Sequence, residues 1–182
     1  MVERLLAWYH SQSGVRYVAL RYFNAAGATE RLGEDHRPET HLIPIALQVA
    51  QNLRAALSLY GVDYPTKDGT CVRDYIHVSD LAQAHILALQ KLEPDEALSG
   101  IYNLGNGNGF SNRQVIEAVR KVTGHPVPIV EERRRPGDPA ELVASSSLAQ
   151  TELGWRPQIT TLEGIIESSW RWHKSYPDGY SD

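Results

Sequence analysis

The sequence is almost free of sulfur: its 182 residues hold one cysteine, Cys71, and one methionine, Met1. A single cysteine cannot close an internal disulfide, and the expectation is a reducing, cytoplasmic setting. Zinc-type cysteine–histidine spacing is missing, and none of the seven histidines has a sequence neighbour at metal-ligand spacing. No apolar run approaches the ~20 residues of a membrane-spanning helix. Met1-Val2-Glu3-Arg4 does not have the layout of a signal peptide. An excess of positive charge is lacking too: 18 basic residues stand against 22 acidic, a net charge of −4, which argues against a nucleic-acid partner. Gly-x-Ser-x-Gly, a cysteine nucleophile beside a base and a close carboxylate pair on a buried face are all absent. By these criteria no residue does chemistry unaided, and no repeat or low-complexity linker divides the chain.

What is present is the composition of a globular protein, 42% hydrophobic and 22% charged, in a length suited to one sizeable core. Val2, Leu5, Leu6 and Tyr9 repeat at helical spacing, so a helix is already running at the second residue, with no capping side chain before it and Gly14 after it. Val15 to Phe23 reads as a strand buried on both faces. Leu42 to Leu57 reads as a helix with Pro44 in its first turn, and Leu57 to Gly61 as a short strand. Ser79 is expected to cap a helix over Asp80–Leu92, and Gly100 to Leu104 is a strand. Ser111 and Gln114 form a capping box for a helix closed by Gly124, and Val127 to Val130 is a strand. Ser147 and Thr161 start the last helices, with Leu162, Ile165, Ile166, Ser169 and Trp172 inward. Alternating strands and helices predict an α/β fold.

Four features bear on function. Arg73 lies in a short extended run between Val72 and Tyr75-Ile76, so its guanidinium is enclosed and needs an anion. That anion is either an internal carboxylate, with Asp74 nearest, or a ligand phosphate. Gly105-Asn106-Gly107-Asn108-Gly109 mimics a dinucleotide fingerprint, but Phe110 stands where a third small residue is required, so it is read as a plain strand-to-helix turn. Asn24 ends a parallel-type strand, where α/β folds bind ligands, although taken alone an asparagine supporting a turn explains it better. Arg133-Arg134-Arg135 precedes a tight Pro136-Gly137-Asp138 bend. It is either a solvated run or, through Arg135 and Arg73 together, a pyrophosphate clamp.

Together these runs resemble the C-terminal part of the NAD-dependent sugar-nucleotide epimerases, which are extended short-chain dehydrogenases/reductases. The matching runs include Leu20-Arg21-Tyr22-Phe23-Asn24-Ala25-Ala26-Gly27, Thr40-His41-Leu42-Ile43-Pro44, the segment from Tyr60 through Asp63-Tyr64-Pro65-Thr66 and Arg73-Asp74-Tyr75-Ile76-His77 to Val78, and Arg134-Arg135-Pro136-Gly137-Asp138. The resemblance implies the C-terminal portion of an NAD(P)-binding Rossmann-like fold plus a smaller α/β substrate lobe. Residues 1–56 and about 74–105 would fall in the former, and 57–73 and 106–182 in the latter. It implies interconversion of UDP-glucose and UDP-galactose by transient oxidation at C4 with NAD, commonly in a homodimer. Phe23 would meet the nicotinamide end of NAD and Asn24 the sugar-phosphate region. His41 and Leu42 would hold the diphosphate and uridine, and Ser58, Leu59 and Tyr60 would flank the uracil. Arg73 and Arg135 would clamp the diphosphate, and Asp138 would bind ribose. Leu142 matches a position whose bulk gates UDP-N-acetylhexosamines.

The family's glycine-rich NAD loop and its Tyr-x-x-x-Lys pair do not occur in these residues, so no catalytic residue is assigned. The expectation is a fragment that is inactive alone and depends on a chain carrying the other half. The alternatives are a neighbouring UDP-sugar epimerase or decarboxylase, which should lack the Tyr64-Pro65-Thr66 run, and a non-catalytic nucleotide-sugar binding module.

Overall fold

Gly14 decides where the first helix stops. Helix α1 (Val2–Ser13) starts without a side-chain cap, and Gly14, at φ 67°, donates its N–H to the His10 carbonyl. The structure, a computed structural model, describes residues 1–92 and 100–180. The predicted apolar stripe of α1 forms but stays uncovered among the described residues. Leu5 is 51% exposed, Trp8 54% and Tyr9 49%.

Strand β1 (Val18–Tyr22) pairs in parallel with β5 (Gly100–Leu104), Leu20 opposite Tyr102. The expectation of burial on both faces is not met, because Tyr22 is half exposed. Among the described residues this sheet has only these two strands, so too little packs on it to enclose the faces. Strand β2 (Asn24–Ala26) runs parallel to β4 (Val72–His77), which also pairs with β6 (Gly109–Ser111) and β8 (Glu141–Leu142). Strand β3 (Leu57–Tyr60) pairs in parallel with β7 (Ile129–Glu132).

Helix α2 (Leu42–Ala50) ends well before the predicted Leu57. Asn52 takes φ 61°, a left-handed conformation that stops propagation. Helix α3 (Val78–Lys91) is capped by His77, not by Ser79: the His77 Nδ1 accepts from the Ser79 N–H at 3.1 Å. Helix α4 (Asn112–Thr123) carries the expected Ser111–Gln114 capping box and stops at Gly124, φ 72°. In α5 (Ser147–Glu152), Ser147 is the first helical residue and Ser146 the cap position. Thr161 caps α6 (Leu162–Ser175) by accepting from the Gly164 N–H at 3.2 Å.

Two cores result. One joins α2, β3, α4 and α6 through Leu47, Leu59, Ile116, Ile165 and Ile166, and the other joins α3 and α5 to β5 through Leu81, Ala149, Tyr102 and Trp155. Strand β4 lies between them: Tyr75 belongs to the first core and Ile76 to the second, as the two-residue period of a strand requires. Asp80, 3% exposed, locks the later chain onto the start of α3. Its carboxylate accepts from the Gln158 and Ile159 N–H groups at 2.9 and 3.0 Å, and its carbonyl accepts from the Trp155 indole at 2.8 Å.

Candidate functional site

Strands β2, β3 and β4, the start of α2 and the 133–138 bend enclose a cleft of about 720 Å³. Phe23, Asn24, His41, Leu42, Ser58, Leu59, Tyr60, Arg73, Arg135 and Asp138 all line it. Leu142 does not; it sits in β8 opposite Arg73, 47% exposed. The lining also includes Cys71 and Tyr75, which the sequence reading did not select. The signal for them was available, since residues 71, 73 and 75 alternate along one extended run and such residues share a face.

Arg73 is largely enclosed, its side chain 13% exposed. Nη1 donates to the Val72 and Pro139 carbonyls at 2.8 and 2.9 Å, and Nη2 donates to Asp138 Oδ1 at 3.3 Å. Its internal anion is therefore Asp138, not Asp74. A pair at 3.3 Å is longer than the ~2.7–2.9 Å of a tight charge-assisted bond. The guanidinium is held in place mainly by neutral carbonyls, so its charge is only loosely matched.

Asp74, fully buried, points the other way. Its Oδ1 accepts from the Asn106 N–H at 2.8 Å, and its Oδ2 from the Gly107 and Ala144 N–H groups at 3.0 and 3.1 Å. A Cβ at Gly105 would fall 2.5 Å from Asp74 Oδ2, which explains the glycine there. The glycine-rich turn thus has the usual anion-binding chemistry, with its anion supplied from within the chain.

The three arginines of the 133–135 run divide. Arg134 turns outward, its Nε donating to Asp63 Oδ1 at 2.7 Å with the guanidinium over the Tyr64 ring at 4.2 Å. This arginine holds the Asp63 carboxyl below its usual range. Arg135 lies 3.9 Å over the Tyr60 ring, at the cleft wall. Gly137 makes the bend, at φ 84°.

Just before α2, whose cap residue His41 makes no capping side-chain bond, Glu39 folds back on the approach to the helix. Its Oε1 accepts from the Thr40 and His41 N–H groups at 2.6 and 2.7 Å and from His41 Nδ1 at 2.8 Å. The sequence showed no metal-spaced histidine pair. The fold nevertheless brings one potential ligand atom from each of Glu34, His36, Glu39 and His41 to within 4.8 Å of one another, a spacing compatible with a shared metal ion. Three of the four are exposed, and the loop that carries them gives no local period from which to read it.

Behind the cleft, His77 is 1% exposed. Its Nδ1 accepts from Ser79, so its Nε2 carries the proton and donates to Ser168 Oγ at 3.0 Å. Ser168 Oγ also accepts from the Ala28 N–H at 3.0 Å and donates to the Ile165 carbonyl at 2.7 Å. Burial holds the His77 pKa below the usual value of 6.5. This neutral imidazole fixes the turn that follows Asn24–Ala26, where Gly27 sits at φ 86° against the ring.

The family model described as the NAD dependent epimerase/dehydratase family matches residues 1–105. UDP-glucose 4-epimerase of Halalkalibacterium halodurans is 56% identical over 182 residues, 99% of this chain and 54% of that protein. A crystal structure of a UDP-glucose 4-epimerase superposes over 100% of the chain and 55% of its own, with a TM-score of 0.94 and 52% identity. The Bifidobacterium longum enzyme in complex with NAD+ and UDP superposes with a TM-score of 0.90 at 40% identity, covering 98% of this chain and 53% of that one. The chain spans about half the length of the curated relatives it matches. With a matched family model over more than half its residues, the chain belongs to the NAD dependent epimerase/dehydratase family.

Proposed function

We propose that this chain is the UDP-sugar-holding part of a UDP-glucose 4-epimerase, and that the assembled protein interconverts UDP-glucose and UDP-galactose. The observation that carries this reading is the presence of Arg73, Arg135 and Asp138 in one cleft with Asn24, His41 and Tyr60. A diphosphate between the two guanidiniums gives Arg73 the second anion its geometry lacks, and Asp138 is then free to accept from ribose hydroxyls. Tyr60, already covered by Arg135, offers a flat face for a uracil. In this reading residues 1–56 and about 74–105 contribute to an incomplete dinucleotide-binding core, and 57–73 and 106–182 form the substrate lobe. Helix α2 packs on α4 and α6 of the substrate lobe.

The NAD site does not fit within these residues. Phe23 is the one candidate contact, and the glycine-rich turn that could cradle a pyrophosphate is already filled by the Asp74 carboxylate. What the chain's residues contribute is a firm grip on UDP, remote from the reacting carbon, which positions the hexose.

Calorimetric titration of the chain with UDP tests the proposal. Saturable binding that Arg73→Ala weakens by about 10- to 100-fold is expected, from the ~1.5–3 kcal/mol of a hydrogen bond to a charged group. The chain alone, given NAD and UDP-galactose, is expected to show no turnover. Absence of UDP binding by the folded chain would overturn the assignment.

A further inference from the structure

One wall of the cleft is built from residues 28–41, which contribute Leu32, Gly33, Glu34, Thr40 and His41 to the lining. This stretch forms no helix or strand. A segment without a ladder of its own keeps one shape only if outside bonds offset the entropy of ordering it.

Those bonds come from the other end of the described chain. The Tyr180 hydroxyl accepts from the Gly33 N–H at 2.8 Å and donates to the Gly33 carbonyl at 3.0 Å. The Tyr180 N–H donates to Asp35 Oδ2 at 3.1 Å. Arg37 bridges the two segments, its Nε on Asp35 Oδ1 at 2.9 Å and its Nη2 on the Asp178 carbonyl at 2.7 Å. Tyr176 stacks on the Trp172 indole at 5.5 Å, and the Tyr180 ring lies 5.5 Å from the same indole. Contact is close on both sides: a Cβ at Gly33 would meet Trp172 at 2.2 Å, and one at Gly179 would meet Asp35 at 2.3 Å.

We propose that Tyr176–Tyr180 is a strap that holds loop 28–41 in the shape that receives the nucleotide sugar, with Tyr180 as its positioning residue. The proposal rests on the UDP-sugar reading of the cleft for its consequence, and on the bonds above for its mechanism. Tyr180 is 43% exposed and lies outside both cores, so its hydroxyl has little part in global stability.

The test uses the 182-residue chain with Tyr180→Phe, Asp35→Ala and the double variant. Amide hydrogen exchange of residues 29–40, thermal melting and UDP titration are measured on each. Tyr180→Phe keeps the ring and loses both hydroxyl bonds, so exchange in the loop should quicken about tenfold and the UDP Kd should rise about three- to tenfold. The melting midpoint should stay within ~2 °C. The two changes act on one clasp, so the double variant should be little worse than either single one. Unchanged loop exchange in both single variants overturns the strap, as does faster exchange with an unchanged UDP Kd. Global unfolding of Tyr180→Phe also overturns it, since Tyr180 would then be a core residue. If the unaltered chain fails to bind UDP, the functional reading falls, and loop exchange still decides the strap.

Discussion

Arg73 and Asp138, 65 residues apart in sequence, meet at 3.3 Å between Nη2 and Oδ1 at the edge of the cleft. The carboxylate is 38% exposed and the guanidinium 13%. The exposed partner can swing away while the enclosed one stays fixed by the Val72 and Pro139 carbonyls. On the proposed UDP-sugar reading, Asp138 would hold the place of a phosphate until one arrives and would then be available to a sugar hydroxyl.

That exchange makes Asp138 a residue of opposite effects. On the same reading, Asp138→Ala would remove a competitor for phosphate and an acceptor for ribose. Inorganic pyrophosphate should bind the variant about two- to fivefold more tightly, and UDP about threefold or more weakly, in line with the modest worth of a single partly exposed pair or bond. Parallel titrations of the two ligands check this. A loss for both would mean that Asp138 serves only to hold Arg73.

Asp74 is expected to be a stability residue. Asp74→Ala leaves three N–H donors, those of Asn106, Gly107 and the buried Ala144, without the buried carboxylate that accepts from them. The cost should be about 3–5 kcal/mol in urea unfolding, with the glycine turn and β8 loosening first in hydrogen exchange. Asp74→Asn, which keeps one acceptor oxygen, should recover part of it.

Gly27 packs directly on His77. A Cβ there would lie 2.3 Å from the imidazole Cδ2, on a backbone at φ 86°. Gly27→Ala should therefore destabilise the chain by about 3 kcal/mol or more, by backbone strain together with a forced shift of a buried ring. Equilibrium urea unfolding measures it. Gly14, which also has positive φ but meets nothing within 4 Å, supplies the comparison. Gly14→Ala should cost about 1 kcal/mol, from strain alone.

Burial lowers the pKa of both His77 and His173 from 6.5. The folded chain keeps these imidazoles neutral, while the unfolded chain protonates them near 6.5. Between the lowered folded values and 6.5 the unfolded state binds more protons, so stability falls as pH drops through this window. Above 6.5 the contribution is complete. Urea unfolding at pH 7.5 and pH 5.5 should show the drop, and His77→Gln should flatten part of it. An unchanged slope in that variant would place the titration elsewhere.

Much of the local structure is legible in the sequence because its causes are local. The Ser111–Gln114 box, the Thr161 cap and the Gly14 and Gly124 stops each depend on residues within one turn. The end of α2 was not legible, since Asn52 at φ 61° competes with a helical pattern continuing beyond it. Nor was the cap of α3: a serine at the expected place was displaced by His77, whose ring is aimed by Ser168, 91 residues away. The partner of Arg73 failed in the same way. Asp74 is next in sequence, but adjacent strand residues face opposite sides, and the same two-residue period would have joined Cys71 and Tyr75 to Arg73. The cluster around Glu39 comes from the folding of one irregular loop and the clasp of Tyr180 on Gly33 from loop-to-tail packing, and neither leaves a period to read.

The most direct measurement is UDP titration of the chain beside its Arg73→Ala and Arg135→Ala variants, each shown to be folded by its melting curve. Saturable binding by the unaltered chain is expected, with a loss of about 10- to 100-fold in each variant, as when a charged hydrogen-bonding partner of a phosphate is removed. Binding that both variants leave unchanged, or a folded chain that does not bind UDP at all, would contradict the UDP-sugar reading.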